Sequence, residues 1–174
     1  MFNLPRSLAL LAVGLAAFFT LASARALEVG DPAPQVTAQN QDGKPLVFAD
    51  IYRQGVTLVY FYPKAGTSGC TAEACSLRDN YDDLVAKGVR VIGVSEDSAE
   101  AQKKFQTENQ LPFPLVADTD GAVAKAFGVP MNNGMTKRQS FLIKDGKIAW
   151  LDLSVSPAQH TASVRDALAK LGGS

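Results

Sequence analysis

The apolar residues of the chain form short continuous runs separated by stretches with helical spacing. Residues 56–62 and 89–94 are runs of β-branched, aromatic and aliphatic side chains, a pattern typical of strands that are covered on both faces. Between them, the residues from Cys70 onward favour a helix, which is expected to end at Gly88. This strand–helix–strand order predicts a right-handed crossover and parallel pairing of the two strands.

Two hairpins and three further helices are predicted around this unit. Residues 35–40 and 45–48, and likewise 139–143 and 147–153, flank turn sequences and are expected to pair as hairpins. The helices are predicted over 98–109 with Ser98 as N-cap, 119–127 ending at Gly128, and 156–171. A helical turn at 50–54 and an edge segment at 111–116 complete a one-domain α/β sandwich without an interdomain linker.

The first two dozen residues have the pattern of a targeting segment. A short basic start precedes the almost wholly apolar residues 8–21, and Ala22-Ser23-Ala24 forms a small-residue cleavage site. We therefore predict a secretory signal peptide over 1–24, with a second cleavage register after Ala26, and a domain over 27–174. The apolar run is shorter than the roughly 20 residues of a membrane span, so we expect cleavage rather than a retained anchor. The mature chain would then have no stable membrane association and would work in a bacterial periplasm.

Composition limits the partners and cofactors of the chain. Seventeen basic and seventeen acidic side chains make it formally neutral, which gives no support for nucleic-acid binding. With two cysteines and one histidine, His160, a tetrahedral zinc site of the Cys/His type is not expected. We expect His160 to be structural or exposed rather than catalytic.

Cys70 is predicted to lie where a strand gives way to a helix. Pro63 ends the strand, residues 64–69 are turn-forming, and Thr67 or Ser68 is placed to cap the helix. Free N–H groups and the helix dipole favour a thiolate in the first turn. Complete ionisation would gain only about 30-fold, or about 2 kcal/mol, over an ordinary thiol at pH 7. Catalysis therefore also requires groups around the sulfur that bind a transition state.

Cys75 follows Cys70 at a spacing that does not suit a disulfide within a helix. Residues five apart on an ideal helix have Cα atoms roughly 8.6 Å apart, whereas a disulfide needs less than about 7 Å. If both cysteines lie on one helix, at least one turn must unwind before they bond, which predicts a redox cycle with local unfolding. The residues alone leave open two unrelated cysteines, or a plain structural disulfide in an oxidising compartment.

The segment around Cys70 resembles the active-site segment of peroxiredoxins. The family pattern Pro-x3-Thr-x2-Cys is met by Pro63, Thr67 and Cys70. The residues that follow are similar to the Q type, the bacterioferritin comigratory protein group: Thr71, Glu73, Cys75, Arg78 and Asp79. Further matches at 93–98, 112–129 and 137–148 extend the resemblance from about residue 27 to the C-terminus.

This resemblance implies both a fold and an activity. The fold would be a thioredoxin-like three-layer sandwich with a central mixed sheet and an added N-terminal β-hairpin. The activity would be thiol-dependent reduction of hydrogen peroxide and organic hydroperoxides, with Cys70 as peroxidatic and Cys75 as resolving cysteine, joined in an intramolecular disulfide. The resemblance implies a thioredoxin-like or glutaredoxin-like reductant, thioredoxin above all, a monomer, and no cofactor or metal.

The resemblance also implies roles for residues near Cys70. Thr67 would hydrogen-bond the thiolate or the peroxide, and Pro63 would shield the sulfenic acid as well as end the strand. Arg138, which follows an expected flexible segment at 131–137, would favour the thiolate and stabilise charge on the leaving oxygen. From the residues alone, Arg138 would instead be a surface arginine.

Glu73 and Arg78 are expected to support the site. The resemblance implies that both could belong to a polar network around the sulfur. The residues alone favour Glu73 equally as an acid in the first turn of the helix, complementing its dipole.

Two other functions are compatible with a small exported protein that carries two cysteines. A thiol–disulfide oxidoreductase of thioredoxin-like fold normally uses C-x2-C, which is absent. A copper-delivery module would use Cys70, Cys75 and His160 as ligands, although its usual cysteine spacing is one residue shorter. Peroxide consumption against insulin reduction distinguishes the first, and copper retention after purification distinguishes the second.

Overall fold

The computed structural model describes residues 26–172, which form a central β-sheet with helices packed on both faces. The elements in chain order are β1 (Thr37–Gln39), β2 (Pro45–Val47), α1 (Phe48–Tyr52), β3 (Val56–Phe61), α2 (Ser68–Asp79), α3 (Tyr81–Ala86), β4 (Val89–Ser95), α4 (Ala99–Glu108), β5 (Leu115–Ala117), α5 (Ala122–Ala126), β6 (Met131–Asn132), β7 (Met135–Thr136), β8 (Gln139–Lys144), β9 (Lys147–Asp152) and α6 (His160–Gly172).

The central sheet has five strands in the order β5-β4-β3-β8-β9. Strands β3 and β4 run parallel, from the pair Val56 and Val89 to the pair Phe61 and Val94, which confirms the predicted parallel pairing. Strand β5 pairs with β4 in parallel at one edge of the sheet. On the other side, β8 pairs with β3 in antiparallel orientation, and β9 pairs with β8 in antiparallel orientation. The mixed sheet and the separate hairpin of β1 and β2 confirm the thioredoxin-like fold with an N-terminal hairpin.

Strand β3 supplies side chains to both layers of the core. Leu58 and Tyr60 pack with residues of α2, α3, α4 and α6, while Val59 and Phe61 pack with residues of α1 and α5. Successive side chains of a strand point to opposite faces, so an uninterrupted apolar run fills two cores at once. Cys70 belongs to the first of these clusters and is therefore held by packing from several elements.

The structure divides the long helix that the sequence predicted. Helix α2 ends at Asp79, Asn80 has a non-helical backbone (φ −108°, ψ 10°), and α3 begins at the next residue. The side-chain amide of Asn80 donates to the carbonyl oxygen of Ser76 at 2.9 Å, which satisfies a helix-end carbonyl. No glycine or proline lies at this break, so the residue types there gave no sign that a helix ends.

The segment at 131–137, which was expected to be flexible, forms a small hairpin. Strands β6 and β7 pair around Asn133 (φ 51°) and Gly134 (φ 69°), the two left-handed residues of a tight hairpin turn. The hydroxyl of Thr136 donates to the carbonyl oxygen of Tyr62 at 3.0 Å. This bond ties the hairpin to the residue that follows β3, and Arg138 comes two residues later in the chain.

The remaining helices agree with the sequence except at their ends. Ser98 caps α4 and accepts a hydrogen bond from the backbone of Ala101 at 3.2 Å, as predicted. Helix α6 begins at His160, four residues later than expected, and Phe48 begins α1 rather than ending β2. No helix within 26–172 is long and apolar enough to cross a membrane. The predicted signal peptide falls outside the described residues.

Candidate active site

The first turn of α2 holds the sulfur of Cys70. The helix begins at Ser68, and its first backbone bond runs from the N–H of Thr71 to the carbonyl oxygen of Thr67 at 2.8 Å. The N–H groups of residues 68–70 precede that bond and have no partner within the helix. Cys70 is 2% exposed, so its sulfur combines burial with the positive end of a helix.

Arg138 contacts the sulfur directly. Its Nη2 lies 3.2 Å from Sγ of Cys70, while Nη1 forms an ion pair with Oε2 of Glu73. Burial lowers the pKa of the Arg138 guanidinium, but the charge of Glu73 and the hydrogen bond to Cys70 outweigh it and raise that pKa above its ordinary value. A permanent positive charge therefore lies between a carboxylate and the thiol sulfur. The structure thus places Arg138 at the site rather than on the open surface.

Glu73 lies on the inner face of α2 and is fully buried. The helix begins two residues before Cys70 and has no acidic residue in its first turn, so Glu73 lies in the second turn. The interpretation of Glu73 as a first-turn acid is therefore wrong. Its carboxylate instead fixes the guanidinium of Arg138.

Arg78 lies apart from this group. Its Nη1 donates to the carbonyl oxygen of Asn109 at 2.8 Å, and its Nε donates to Asp79 at 2.9 Å. Arg78 thus links the end of α2 to the end of α4, and these contacts do not connect it to Glu73 or Arg138.

Thr67 and Pro63 border the loop that leads to Cys70. Thr67 has the extended backbone of an N-cap (φ −78°, ψ 151°), but its hydroxyl makes no capping bond and donates to the carbonyl oxygen of Lys64 at 3.0 Å. Its exposed side chain does not hydrogen-bond Cys70 in this structure. Pro63 is partly buried and follows β3 by two residues. The implied roles of Thr67 towards the peroxide and of Pro63 towards the sulfenic acid stay predictions.

A buried polar chain that the sequence analysis missed anchors this loop. The backbone N–H of Ala65 donates to Asp97 at 2.7 Å, and the same carboxylate oxygen accepts from the hydroxyl of Ser95 at 2.7 Å. Gln102 donates to Ser95 at 2.8 Å and accepts a hydrogen bond from the hydroxyl of Tyr62. The turn before Cys70 is therefore tied to β4 and α4. Its signal in the sequence lay in the matching stretch at 93–98.

Cys75 occupies the face of α2 that looks towards α4. Its side chain is partly exposed, and its sulfur lies 3.8 Å from the side-chain oxygen of Asn109. Both cysteines are free thiols on one unbroken helix. Ideal helical geometry then separates their Cα atoms by roughly 8.6 Å, beyond the reach of a disulfide. Because both cysteines lie on one helix, α2 must unwind before a disulfide can form between them.

His160 lies behind Glu73 at the start of α6 and is 1% exposed. Its Nδ1 is 2.8 Å from Oε1 of Glu73, and its Nε2 is 2.7 Å from the hydroxyl oxygen of Ser140. The expectation of a structural or exposed histidine did not anticipate this contact. Among residues 26–172, no group of three His, Cys, Asp or Glu side chains is arranged to hold a metal ion. The three residues considered for copper therefore do not form a ligand set.

Comparison with known proteins identifies related sequences and structures. Residues 29–151 match the model of the AhpC/TSA family. Peroxiredoxin Bcp of Escherichia coli K12 is 45% identical over 130 residues, which cover 70% of this chain and 83% of that protein. A putative peroxiredoxin of Mycobacterium tuberculosis is 37% identical over 147 residues, which cover 80% and 93% of the two chains.

Solved structures show the same relationship. Peroxidoxin BcpB from Mycobacterium tuberculosis superimposes with a TM-score of 0.78 at 30% identity, covering 83% of this chain and 97% of that chain. Peroxiredoxin Q from Xanthomonas campestris has a TM-score of 0.72 at 26% identity, covering 78% and 90%.

Proposed function

Because the chain belongs to the AhpC/TSA family and is related to Bcp and peroxiredoxin Q proteins, it is a thiol peroxidase, and we propose that Cys70 is the peroxidatic cysteine and Cys75 the resolving cysteine. The observation that carries this proposal is the 3.2 Å contact between Sγ of Cys70 and Nη2 of Arg138 at the first turn of α2. A thiolate there has a cation beside it and helix N–H groups around it.

The first step oxidises Cys70. Its thiolate attacks the terminal oxygen of a hydroperoxide, so that an S–O bond forms as the O–O bond breaks. Sulfur loses two electrons and becomes a sulfenic acid that keeps the peroxide proton. The leaving oxygen takes up the proton that the thiol lost on ionising and departs as water or an alcohol. The guanidinium of Arg138, which lies 3.2 Å from the sulfur, is the cation available to stabilise the charge that develops on that oxygen, and such stabilisation lowers the barrier.

The second step uses Cys75. After α2 unwinds, the thiolate of Cys75 attacks the sulfenic sulfur, an S–S bond forms and hydroxide leaves to become water. A dithiol reductant then exchanges with this disulfide and restores both thiols. We propose that thioredoxin or a related thioredoxin-like or glutaredoxin-like protein supplies those electrons, and that the enzyme acts as a monomer on hydrogen peroxide and organic hydroperoxides.

Two serine variants test the two cysteine roles. Cys70→Ser should abolish peroxide consumption with a thioredoxin-type reductant. Cys75→Ser should consume one equivalent of peroxide and then stall, with a sulfenic acid at Cys70 that a dimedone-type probe labels. In the wild type, peptide mapping after one equivalent should show a disulfide between the two residues. Undiminished steady turnover by Cys75→Ser would remove the resolving role.

The compartment follows from the N-terminal sequence rather than from the fold. We propose export to the periplasm with cleavage after Ala24 or Ala26, because residues 1–24 have the three parts of a signal peptide. The reductant would then have to be exported as well. Sequencing of the mature N-terminus from a periplasmic extract tests this. A full-length chain recovered from the cytoplasm would refute it.

A further inference from the structure

The contacts of Arg138 are unusual for a paired arginine. Arginine and carboxylate side chains often pair through two parallel hydrogen bonds, which would occupy both guanidinium Nη atoms or Nη and Nε. Here Nη1 pairs with Oε2 of Glu73, and Nη2 is directed at the sulfur of Cys70. The site depends on this division of the guanidinium, because a two-point pair with Glu73 would compete with the sulfur for the second nitrogen.

His160 occupies the position that decides between these two arrangements. Its Nδ1 lies 2.8 Å from Oε1 of Glu73, the oxygen that Arg138 does not use. Both atoms are buried, and neither has an aligned hydrogen bond to any group in the described part of the chain. At a separation of 2.8 Å, each is therefore the other's available partner.

Glu73, rather than Ser140, fixes which ring nitrogen of His160 carries the proton. The hydroxyl oxygen of Ser140 is 2.7 Å from Nε2 of His160, and a hydroxyl can donate as well as accept. An ionised carboxylate only accepts, so the ring must carry its hydrogen on Nδ1 when it bonds Glu73. In a neutral ring, Nε2 then accepts from the Ser140 hydroxyl, and all three groups are satisfied.

We propose that His160 is a positioning residue for the peroxidatic thiol, a role that rests on the proposed function of Cys70. By holding Oε1 of Glu73, His160 restricts the carboxylate to a one-point pair with Arg138 and leaves Nη2 for the sulfur. The line of contacts runs from Ser140 through His160, Glu73 and Arg138 to Cys70, across β8, α6 and α2. His160 touches neither peroxide nor sulfur and acts through the other residues.

Few other titratable groups border this line. Strand β3 contributes Tyr60, whose ring centroid is 5.8 Å from that of His160 and whose hydroxyl is buried without a partner among the described residues. Burial raises the pKa of Tyr60 well above its usual value, and the nearby Tyr62, Glu73 and Cys70 add to that shift. Tyr60 therefore stays neutral, and the charges that bear on the sulfur are those of Arg138 and Glu73, with His160 when protonated.

A pair of amide variants isolates the proposed contact. His160→Asn places an amide nitrogen close to the position of Nδ1 and should keep the bond to Glu73. His160→Gln places it close to Nε2, on the side of Ser140, and should lose that bond. We expect His160→Gln to slow the first oxidation of Cys70 by about tenfold and to move the midpoint of the alkylation pH profile up by about one pH unit. We expect the oxidation rate of His160→Asn to remain within about threefold of wild type, since the hydrogen bond to Glu73 is preserved.

Thr161→Ala is the matched control, because Thr161 is the next residue of α6 and its hydroxyl lies 2.8 Å from that of Ser76 on α2. It removes a contact between the same two helices without touching Glu73. It should lower the melting temperature but leave the alkylation profile in place. Equal effects of His160→Gln and His160→Asn would overturn the proposal. So would an unchanged alkylation profile in His160→Gln, or a shift in Thr161→Ala as large as that in His160→Gln.

A measurement on the unaltered protein covers the case in which the variants do not fold. The chain has one histidine, so ¹⁵N-histidine labelling of untagged protein gives one imidazole. Its spectrum should show a proton on Nδ1 in the reduced enzyme. A ring with an unprotonated Nδ1 would overturn the role of His160. Activity in Cys70→Ser would instead overturn the proposed function, and the two failures are therefore separable.

Discussion

At the scale of single residues, the decisive contact is that of one guanidinium with two acceptors. Arg138 is planar and carries several fixed donors, so it can reach Glu73 and Cys70 at the same time through different nitrogens. Lysine has the same charge but concentrates it at one nitrogen. The arrangement of donors, more than the charge alone, therefore suits this position.

Arg138→Lys should reduce the rate of the first oxidation by about 10²-fold, the usual loss when a donor to a developing oxyanion is removed. Rapid mixing of reduced enzyme with hydrogen peroxide, quenched and analysed by mass spectrometry, measures that rate. Arg53→Lys is the control, since Arg53 forms an exposed ion pair with Asp50 on α1 and should behave as wild type. A rate within twofold of wild type in Arg138→Lys would contradict the role of the divided guanidinium.

At the scale of elements, α2 must be stable enough to hold Cys70 and weak enough to release Cys75. Its C-terminal half is attached by few polar contacts: Arg78 to Asn109, Cys75 to Asn109, and Ser76 to Thr161. The break at Asn80 separates α2 from α3, so unwinding need not extend into the next helix. Helix α2 is thus a short unit whose opening can be local.

Ser76→Ala should accelerate disulfide formation by about fivefold, because one hydrogen bond that is lost on unwinding contributes about 1 kcal/mol. The first oxidation should be unchanged. Mass spectrometry of quenched samples, which separates sulfenic acid from disulfide, follows both steps. Thr107→Ala, which removes an exposed hydroxyl bond within α4, is the control. Disulfide formation no faster than in wild type would show that the contact between α2 and α6 does not limit resolution.

At the scale of the whole molecule, two layers of core confine the polar groups to a few buried positions. Asp118 is 2% exposed and accepts the backbone N–H groups of Val123 and Ala124, so it caps α5. Glu96 lacks comparable hydrogen bonds, since its Oε2 is buried without a hydrogen-bond partner in the described chain. Desolvation raises the pKa of Glu96 above its usual 4.5, and the neighbouring Asp118 and Asp97 raise it further.

This shift gives stability a defined pH dependence. The native protein binds the Glu96 proton more tightly than the unfolded chain, so its contribution is fully present below about pH 4.5 and is lost as pH rises through the native pKa. Glu96→Gln should therefore raise the melting temperature at pH 7 by about 2 °C and have little effect below about pH 4. Thermal unfolding at both pH values measures this, with Glu108→Gln, at an exposed acid on α4, as control. An equal melting temperature at pH 7 would refute it.

The linear sequence determined the features that depend on neighbours in the chain. Apolar runs and turn residues act over a few positions, so the strand of residues 56–61, the loop after it, and Cys70 in the first turn of α2 were all predictable. The two cysteines on one helix followed from the same local pattern. Spacing alone therefore indicated that a disulfide would require unwinding.

Only the tertiary structure decided which distant side chains meet at the sulfur. Arg138 and Glu73 are 65 positions apart, and His160 reaches Glu73 only because α6 packs on α2. The break at Asn80 was not visible in the apolar pattern, whereas the β6–β7 hairpin has a local signal, the Asn133-Gly134 turn, that the sequence prediction did not use. Local patterns determine the element on which a residue lies. The charge environment of Cys70 arises instead from packing between elements, which brings buried partners together regardless of their separation in sequence.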